Sequence, residues 1–286
     1  MNAQKLNKAL RSNNGKLYYE LQLDLKQKNP QLLLRVLEYM RNRQLPIATT
    51  LINGRDLLCW ACYYNNLAAL QLILQQTQTL ENAHVIKLLE IVTVWYDTNN
   101  NKNLLNKKEY HTQSEKLVIA LFDHQQTTKP ISGELTSVLV VACKFYSLQT
   151  TRRIIQAAHT VNGLCAYTGY YPIQQAAQRP NGQQLIKLLI ENGAELLNEQ
   201  IASALNMALR FRLLDNMQVL LQQGAYFNAP TYLTLAAEIA PNLIPLMVWS
   251  IETNRAAWAW AHKTPLQIKY LLPEPIVKAA RRNLLS

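Results

Sequence analysis

The sequence predicts an all-α fold, an α-solenoid repeat array closed by helical caps at both ends. Three observations predict it. The first is a recurring frame in which a cap residue is followed by apolar positions and then by one or two small residues. It occurs as Asp56-Leu57-Leu58-Cys59-Trp60-Ala61-Cys62, Ser137-Val138-Leu139-Val140-Val141-Ala142-Cys143, Tyr171-Pro172-Ile173-Gln174-Gln175-Ala176-Ala177, Ser203-Ala204-Leu205-Asn206-Met207-Ala208-Leu209 and Thr231-Tyr232-Leu233-Thr234-Leu235-Ala236-Ala237, and it starts again at Thr264-Pro265-Leu266-Gln267. The second is an apolar-striped helix after the frame, as in Leu70, Leu72 and Leu74, in Leu185 to Ile190, and in Val219-Leu220-Leu221, with Gly193 and Gly224 as stops. The third is the spacing. From Ser137 through Tyr171, Ser203 and Thr231 to Thr264 the intervals are 34, 32, 28 and 33 residues. A helical pair of this size cannot bury its own apolar face, so copies must stack on one another.

The opening residue of each frame has a defined task. It must accept a hydrogen bond from an unpaired N–H of the first helical turn, which favours Asp, Ser or Thr. Asp56, Ser137, Ser203, Thr231 and Thr264 satisfy this, and Tyr171 does not, although Pro172 suits the first helical position there. The interval from Asp56 to Ser137 is 81 residues, which leaves room for two units and an insertion.

In chain order, residues 1–52 predict a basic N-terminal helical cap. Residues 2–12 read as a short polar helix and Lys16 to Gln27 as a helix striped by Leu17, Leu21 and Leu25, while Asn29-Pro30 stops one helix and starts the next, Gln31 to Arg43. Residues 53–250 hold the repeats. Within them 77–132 form a degenerate, enlarged helical pair: a helix from Leu80 to Tyr96, an inserted amide-rich loop over 97–110, and a helix opened by Ser114 that runs to about Gln126. Pro241 and Pro245 predict a broken second helix in the last of these repeats. Residues 251–286 are expected to supply a C-terminal repeat and cap, with Trp258, Trp260 and a last helix over Ile276 to Asn283.

The frame resembles the ankyrin repeat family, whose pattern runs Gly-x-Thr-Pro-Leu-His-x-Ala-Ala, then a second helix of the type Val-x-Leu-Leu-Leu, then Gly-Ala. Gly169 to Ala177 followed by Leu185 to Ala194 carries the match best. The departures are Tyr171 at the threonine, Gln174 at the histidine, Asn65 at the glycine between helices, and the extra Arg179-Pro180-Asn181. The high Asn and Gln content of degenerate repeats is also similar to ankyrin-type effectors of intracellular bacteria, which act in a host cell or regulate another effector.

Composition narrows the function classes. With 49% hydrophobic residues and 8 Gly in 286, the chain can bury a large core. Its apolar runs, such as Val138 to Cys143, are too short to span a bilayer, and the N-terminus lacks the apolar core of a secretory signal, so a protein of the cytoplasm without a transmembrane segment is expected. Cys59 and Cys62 have C-x-x-C spacing, but Cys62 and Cys143 fall where the frame wants a small buried side chain, so the four cysteines read as core residues and neither metal nor cofactor is expected. The five histidines, His84, His111, His124, His159 and His262, share no motif with a nucleophile, and no phosphate-binding or hydrolase signature occurs, so the chain does not read as an enzyme.

The charge is +11, and residues 1–55 alone hold ten Lys and Arg against three acidic residues. That balance points to an acidic partner. The ankyrin resemblance implies a concave face to which the two positions after Ala-Ala point. Those positions are Tyr63 and Tyr64, Lys144 and Phe145, Gln178 and Arg179, Arg210 and Phe211 with Arg212, and Glu238 and Ile239. Arginine and aromatic side chains dominate binding hot spots, so Tyr63, Tyr64, Lys144, Phe145, Arg179, Arg210, Phe211 and Arg212 are the candidate partner-binding residues, with Tyr170, Tyr226, Phe227 and Tyr232 ranked second. The expected function is a monomeric scaffold that binds an acidic-faced protein. The alternative is binding of nucleic acid or another anionic surface through the same basic residues, which no recognition motif supports.

Overall fold

The structure, a computed structural model, describes residues 15–27, 31–45, 47, 55–77, 80–98, 107–126, 131–198, 202–227 and 230–254. The expected helices over 2–12 and Ile276 to Asn283, the Asn29-Pro30 junction, Trp258, Trp260 and the frame at Thr264 lie outside those residues. The described residues are helices and connecting turns, and Gly133 and Ala158 form an isolated parallel bridge. They divide into two compact units. The first holds the residues up to Val138 together with Phe145 to His159, the second Leu139 to Lys144 and the residues from Thr160 onward.

In the first unit, α1 (Gly15–Lys26) and α2 (Gln31–Asn42) pack as a pair that buries Leu21, Leu25, Leu33, Val36, Leu37 and Met40. The last four recur at the three- and four-residue steps of one helical stripe. Asp24 of α1 accepts the N–H groups of Leu32 and Leu33 at 3.1 Å each, so the start of α2 is capped from the preceding helix. Next come α3 (Leu57–Tyr63) and α4 (Leu67–Leu74), capped by Asp56 and Asn66. Asn66 does two things. Its Oδ1 accepts the Ala69 N–H at 3.0 Å, while its Nδ2 donates to the Leu25 carbonyl of α1 at 2.9 Å.

Residues 82–126 form the enlarged pair, α5 (Asn82–Thr98) and α6 (Lys107–Gln126), with α3 packed on α5 and α4 on α6. The inserted loop is shorter than expected, because Asp97, Thr98 and residues 107–110 are helical and α6 starts seven residues before Ser114. Burial explains the extra turns: His111 is in the core and the Tyr110 hydroxyl lies 3.4 Å from the Val92 carbonyl.

α7 (Thr136–Phe145) contributes to both units, and α8 (Leu148–Ala157) belongs to the first. α7 begins one residue before the expected cap Ser137. Glu134 takes the capping role, accepting the N–H of Thr136 at 3.2 Å and also its hydroxyl. α8 is capped by Ser147, and Glu115 of α6 accepts the Ser147 N–H at 2.8 Å and the Thr150 hydroxyl at 2.7 Å.

The second unit continues with α9 (Pro172–Ala177), α10 (Gln183–Glu191), α11 (Ala204–Arg210) and α12 (Leu214–Gln222). α13 (Pro230–Ile239), a 3-10 turn (Pro241–Leu243) and α14 (Ile244–Thr253) follow. Helix α9 packs on α11, α10 on α12, and α12 on α14. Tyr171 opens α9 without a side-chain cap bond, and Gln174 replaces it by accepting the Tyr171 N–H at 2.8 Å. The other end of the Gln174 amide donates to the Ala202 carbonyl at 2.6 Å, the residue before the next cap. α13 starts at Pro230, so Thr231 is already inside the helix rather than its cap. Among the described residues no single helix is long and apolar enough to cross a membrane; α13 and the segment after it are apolar together but bend by 115°.

Asn216 of α12 donates to the carbonyls of Ala177 at 3.0 Å and Arg179 at 2.8 Å, the turn that contains the extra Arg179-Pro180-Asn181. Gly182 lies in that turn, where an added Cβ would meet the Ala176 carbonyl oxygen at 2.3 Å and Asn216 Nδ2 at 3.0 Å. Backbone cannot yield as a flexible side chain can. Gly182→Ala is therefore expected to lower stability by about 1–3 kcal/mol, and Asn216→Ala, which strands two carbonyls, by a similar ~1–3 kcal/mol. Urea midpoints at constant m-value check both.

Candidate functional site

Helix α11 is short because its boundaries are strongly specified. The Ser203 hydroxyl accepts the Asn206 N–H at 3.2 Å at one end, and all residues from Ala204 to Leu209 are buried. At the other end Arg212 adopts φ +54°, its N–H bonded to the Leu209 carbonyl at 2.9 Å and the Leu213 N–H to the Ala208 carbonyl at 3.0 Å. This paired pattern closes a helix and normally uses glycine at the left-handed position. Asn65, Gly193 and Gly224 hold the equivalent positions after α3, α10 and α12, and Gln44 holds it after α2 with φ +54°. An L-residue pays about 1–2 kcal/mol for left-handed backbone, and asparagine and glycine pay least. Arginine is thus a costly choice here, and its side chain is exposed.

Beside it runs an open groove of about 380 Å³ between α11 with its following turn and α13. Met207, Leu209, Tyr232, Leu235 and Ile239 give it an apolar lining, Asn206 a polar one, and Arg210 and Arg212 a cationic edge. Tyr232, Leu235 and Ile239 stand three and four residues apart, hence on one stripe of α13. Leu235 is 44% exposed and Phe211, on the adjoining turn, 50%. These are large apolar surfaces to leave in water.

The structure sorts the candidate residues into two groups. Arg210 and Arg212 share the groove, Phe211 is exposed next to them, and Lys144 is exposed at the end of α7. The others are engaged internally. Tyr64 stacks on Trp60 at 6.0 Å between centroids, Tyr63 meets the same ring edge-on at 5.7 Å, and Arg55 lies over Trp60 and Tyr63 at 5.1 and 5.3 Å. Phe145 stacks on His111 at 3.5 Å, and Arg179 is half-buried with Nη1 3.4 Å from the Cys143 carbonyl. Of the second rank, Tyr226 and Phe227 are buried and Tyr232 lines the groove. Sequence reasoning missed Leu235 and Met207 as groove residues. The available signal for Leu235 was the Tyr232, Leu235, Ile239 stripe.

A polar cluster lies in the first unit. Asp56 Oδ1 accepts the Cys59 N–H at 2.7 Å, while Oδ2 lies 3.1 Å from Cys59 Sγ and 3.2 Å from His84 Nε2. Burial alone would raise the Asp56 carboxyl pKa, but the imidazole of His84 and the N–H and S–H of Cys59 hold it below the usual carboxylate value. Burial and the neighbouring carboxylate push the Cys59 thiol up to about 12. Cys62 and Cys143 are fully buried in the core, and burial raises both thiols well above the ordinary range.

No protein-family model matches this chain, and no curated protein matches it.

The backbone at Arg212 gives a test that separates stability from binding. Arg212→Gly is expected to raise unfolding free energy by about 0.5–1 kcal/mol, since relief of the left-handed strain exceeds the added chain entropy of glycine. Thermal and urea unfolding of the two proteins check the sign.

Proposed function

We propose that the chain is a non-enzymatic binding scaffold of ankyrin-like solenoid design, and that the groove between α11 and α13 takes a protein segment carrying carboxylates beside a large apolar side chain. The observation that carries this reading is Arg212, held in a strained conformation at the mouth of an apolar groove. Exposed Gln44 has the same left-handed backbone, so what sets Arg212 apart is its place on the groove edge beside Arg210. The pairing of first helix on first helix and second on second supports the solenoid part of the reading. The groove chemistry supports the rest. Arg210 and Arg212 supply planar, permanently charged donors for carboxylates, and Leu235, Met207 and Tyr232 supply area for an apolar anchor. Exposed Phe211 extends that apolar area at the rim.

Fluorescence anisotropy with four labelled probes tests it: an acidic peptide containing leucine and phenylalanine, an acidic peptide without them, a basic peptide with them, and a single-stranded oligonucleotide. The first is expected to bind tightest. Arg210→Glu with Arg212→Glu is expected to weaken it at least tenfold, about 1.4 kcal/mol, and Leu235→Asp to do the same, with circular dichroism unchanged. Equal binding of the three peptides, or indifference to both variants, removes the groove from the reading. Tight, salt-sensitive retention of the oligonucleotide alone assigns the arginines to phosphate instead.

A further inference from the structure

The Asp56, Cys59 and His84 cluster is more than a helix cap. A cap needs one carboxylate oxygen, and Oδ1 fills that role by accepting the Cys59 N–H. Oδ2 is left over, and a thiol and an imidazole nitrogen converge on it from two helices. The three donor atoms lie within 4.8 Å of one another. Nε2 of His84 is buried and, although close to Oδ2, makes no hydrogen bond of ordinary geometry.

The spacing is informative. Ligands bound to a tetrahedral zinc ion at about 2.0–2.3 Å stand roughly 3.3–3.8 Å apart. Oδ2 to Sγ at 3.1 Å and Oδ2 to Nε2 at 3.2 Å are slightly shorter than such edges, and Sγ and Nε2 lie within 4.8 Å of each other, so shifts of up to about an ångström admit an ion. The positions are also held. Asp56 is fixed by the cap of α3, Cys59 sits one helical turn later, and His84 is in the first turn of α5, which packs on α3.

We propose that Asp56, Cys59 and His84 form a zinc-type transition-metal site that joins α3 to α5. The donor set selects the class of ion. One thiolate, one imidazole and one carboxylate suit zinc or cobalt and not magnesium or calcium, which take oxygen ligands. Three protein ligands leave a fourth position for water. Binding breaks the Cys59 S–H bond and forms a sulfur–metal bond, and the proton passes to solvent. Thiolate and carboxylate then balance a divalent charge, so Arg55 and Lys87, both near enough to act on Cys59, face a neutral centre. Cys62, despite its C-x-x-C spacing, is outside the donor group and remains a core residue. The site would lock one helical pair onto the next, as ligand binding to the folded state stabilises by mass action.

The test uses the full chain, reduced and stripped with a chelator, and cobalt or zinc alone as the probe. Wild type is expected to take one equivalent of cobalt with a near-ultraviolet thiolate-to-cobalt absorption band, and zinc but not magnesium is expected to raise its melting temperature. The band should vanish in Cys59→Ala and persist in Cys62→Ala. His84→Gln, at a half-buried position that spares the α3 core, should bind zinc at least tenfold more weakly while keeping its helical circular dichroism. The proposal is overturned if wild type shows no such band, if the band survives Cys59→Ala or is lost in Cys62→Ala, if magnesium gives the same thermal shift as zinc, or if His84→Gln binds zinc as wild type does.

Discussion

Most of these helices are too short to satisfy their own backbone. A helix of six to ten residues has nearly all of its peptide groups within four positions of an end, where N–H or C=O lacks an internal partner. Where those ends are covered by a neighbouring pair, the groups need partners from protein rather than water. The neighbouring pair does much of this. Asp24 caps α2, Asn66 bonds α1, Glu115 caps α8, Gln174 bonds the turn before α11, and Asn216 bonds the turn after α9. Each is a polar side chain that closes one helix end by reaching from another element. Stacking order and polar satisfaction are therefore the same constraint within each unit.

The same constraint shapes the groove. A helix end closed by the left-handed pattern turns the chain sharply and brings α12 back against α11. At three such ends the sequence places the residues that suit the geometry, Asn65, Gly193 and Gly224, and at two others it places Gln44 and Arg212. The turn still forms because the two hydrogen bonds and the buried face of α11 outweigh the local cost. What results is an arginine whose backbone is fixed on a short turn, next to a second one at Arg210, beside an apolar stripe on α13.

In the first unit, burial governs the chemistry of the cap. Asp56 is 6% exposed, yet its carboxyl pKa is held below the usual carboxylate value by the imidazole of His84 and by the N–H and S–H of Cys59. The aromatic group of Trp60, Tyr63 and Tyr64, with Arg55 over two of the rings, is the opposite case. There a set of residues with the composition of a binding surface satisfies itself, each ring using a neighbour's edge or a cation as its partner.

The sequence by itself determined the helical class, the short helices that follow Asp56, Tyr171 and Ser203, and the caps at Asp56 and Ser203. These depend on local rules, namely apolar periodicity and the need of an opening turn for an acceptor, so single residues report them. It also held the identity of the paired arginines. The tertiary structure decided which candidates are free to act. Tyr63, Tyr64 and Phe145 are drawn into ring contacts, while Arg210, Phe211 and Arg212 remain at the surface, and identical residue types gave no sign of that difference. It likewise decided that Glu134 rather than Ser137 caps α7, that α6 begins at Lys107, and that His84, 28 residues from Asp56, meets its carboxylate. Each of these depends on how one helix packs against another, and burial across such a contact is a property of the pair that neither sequence segment carries alone.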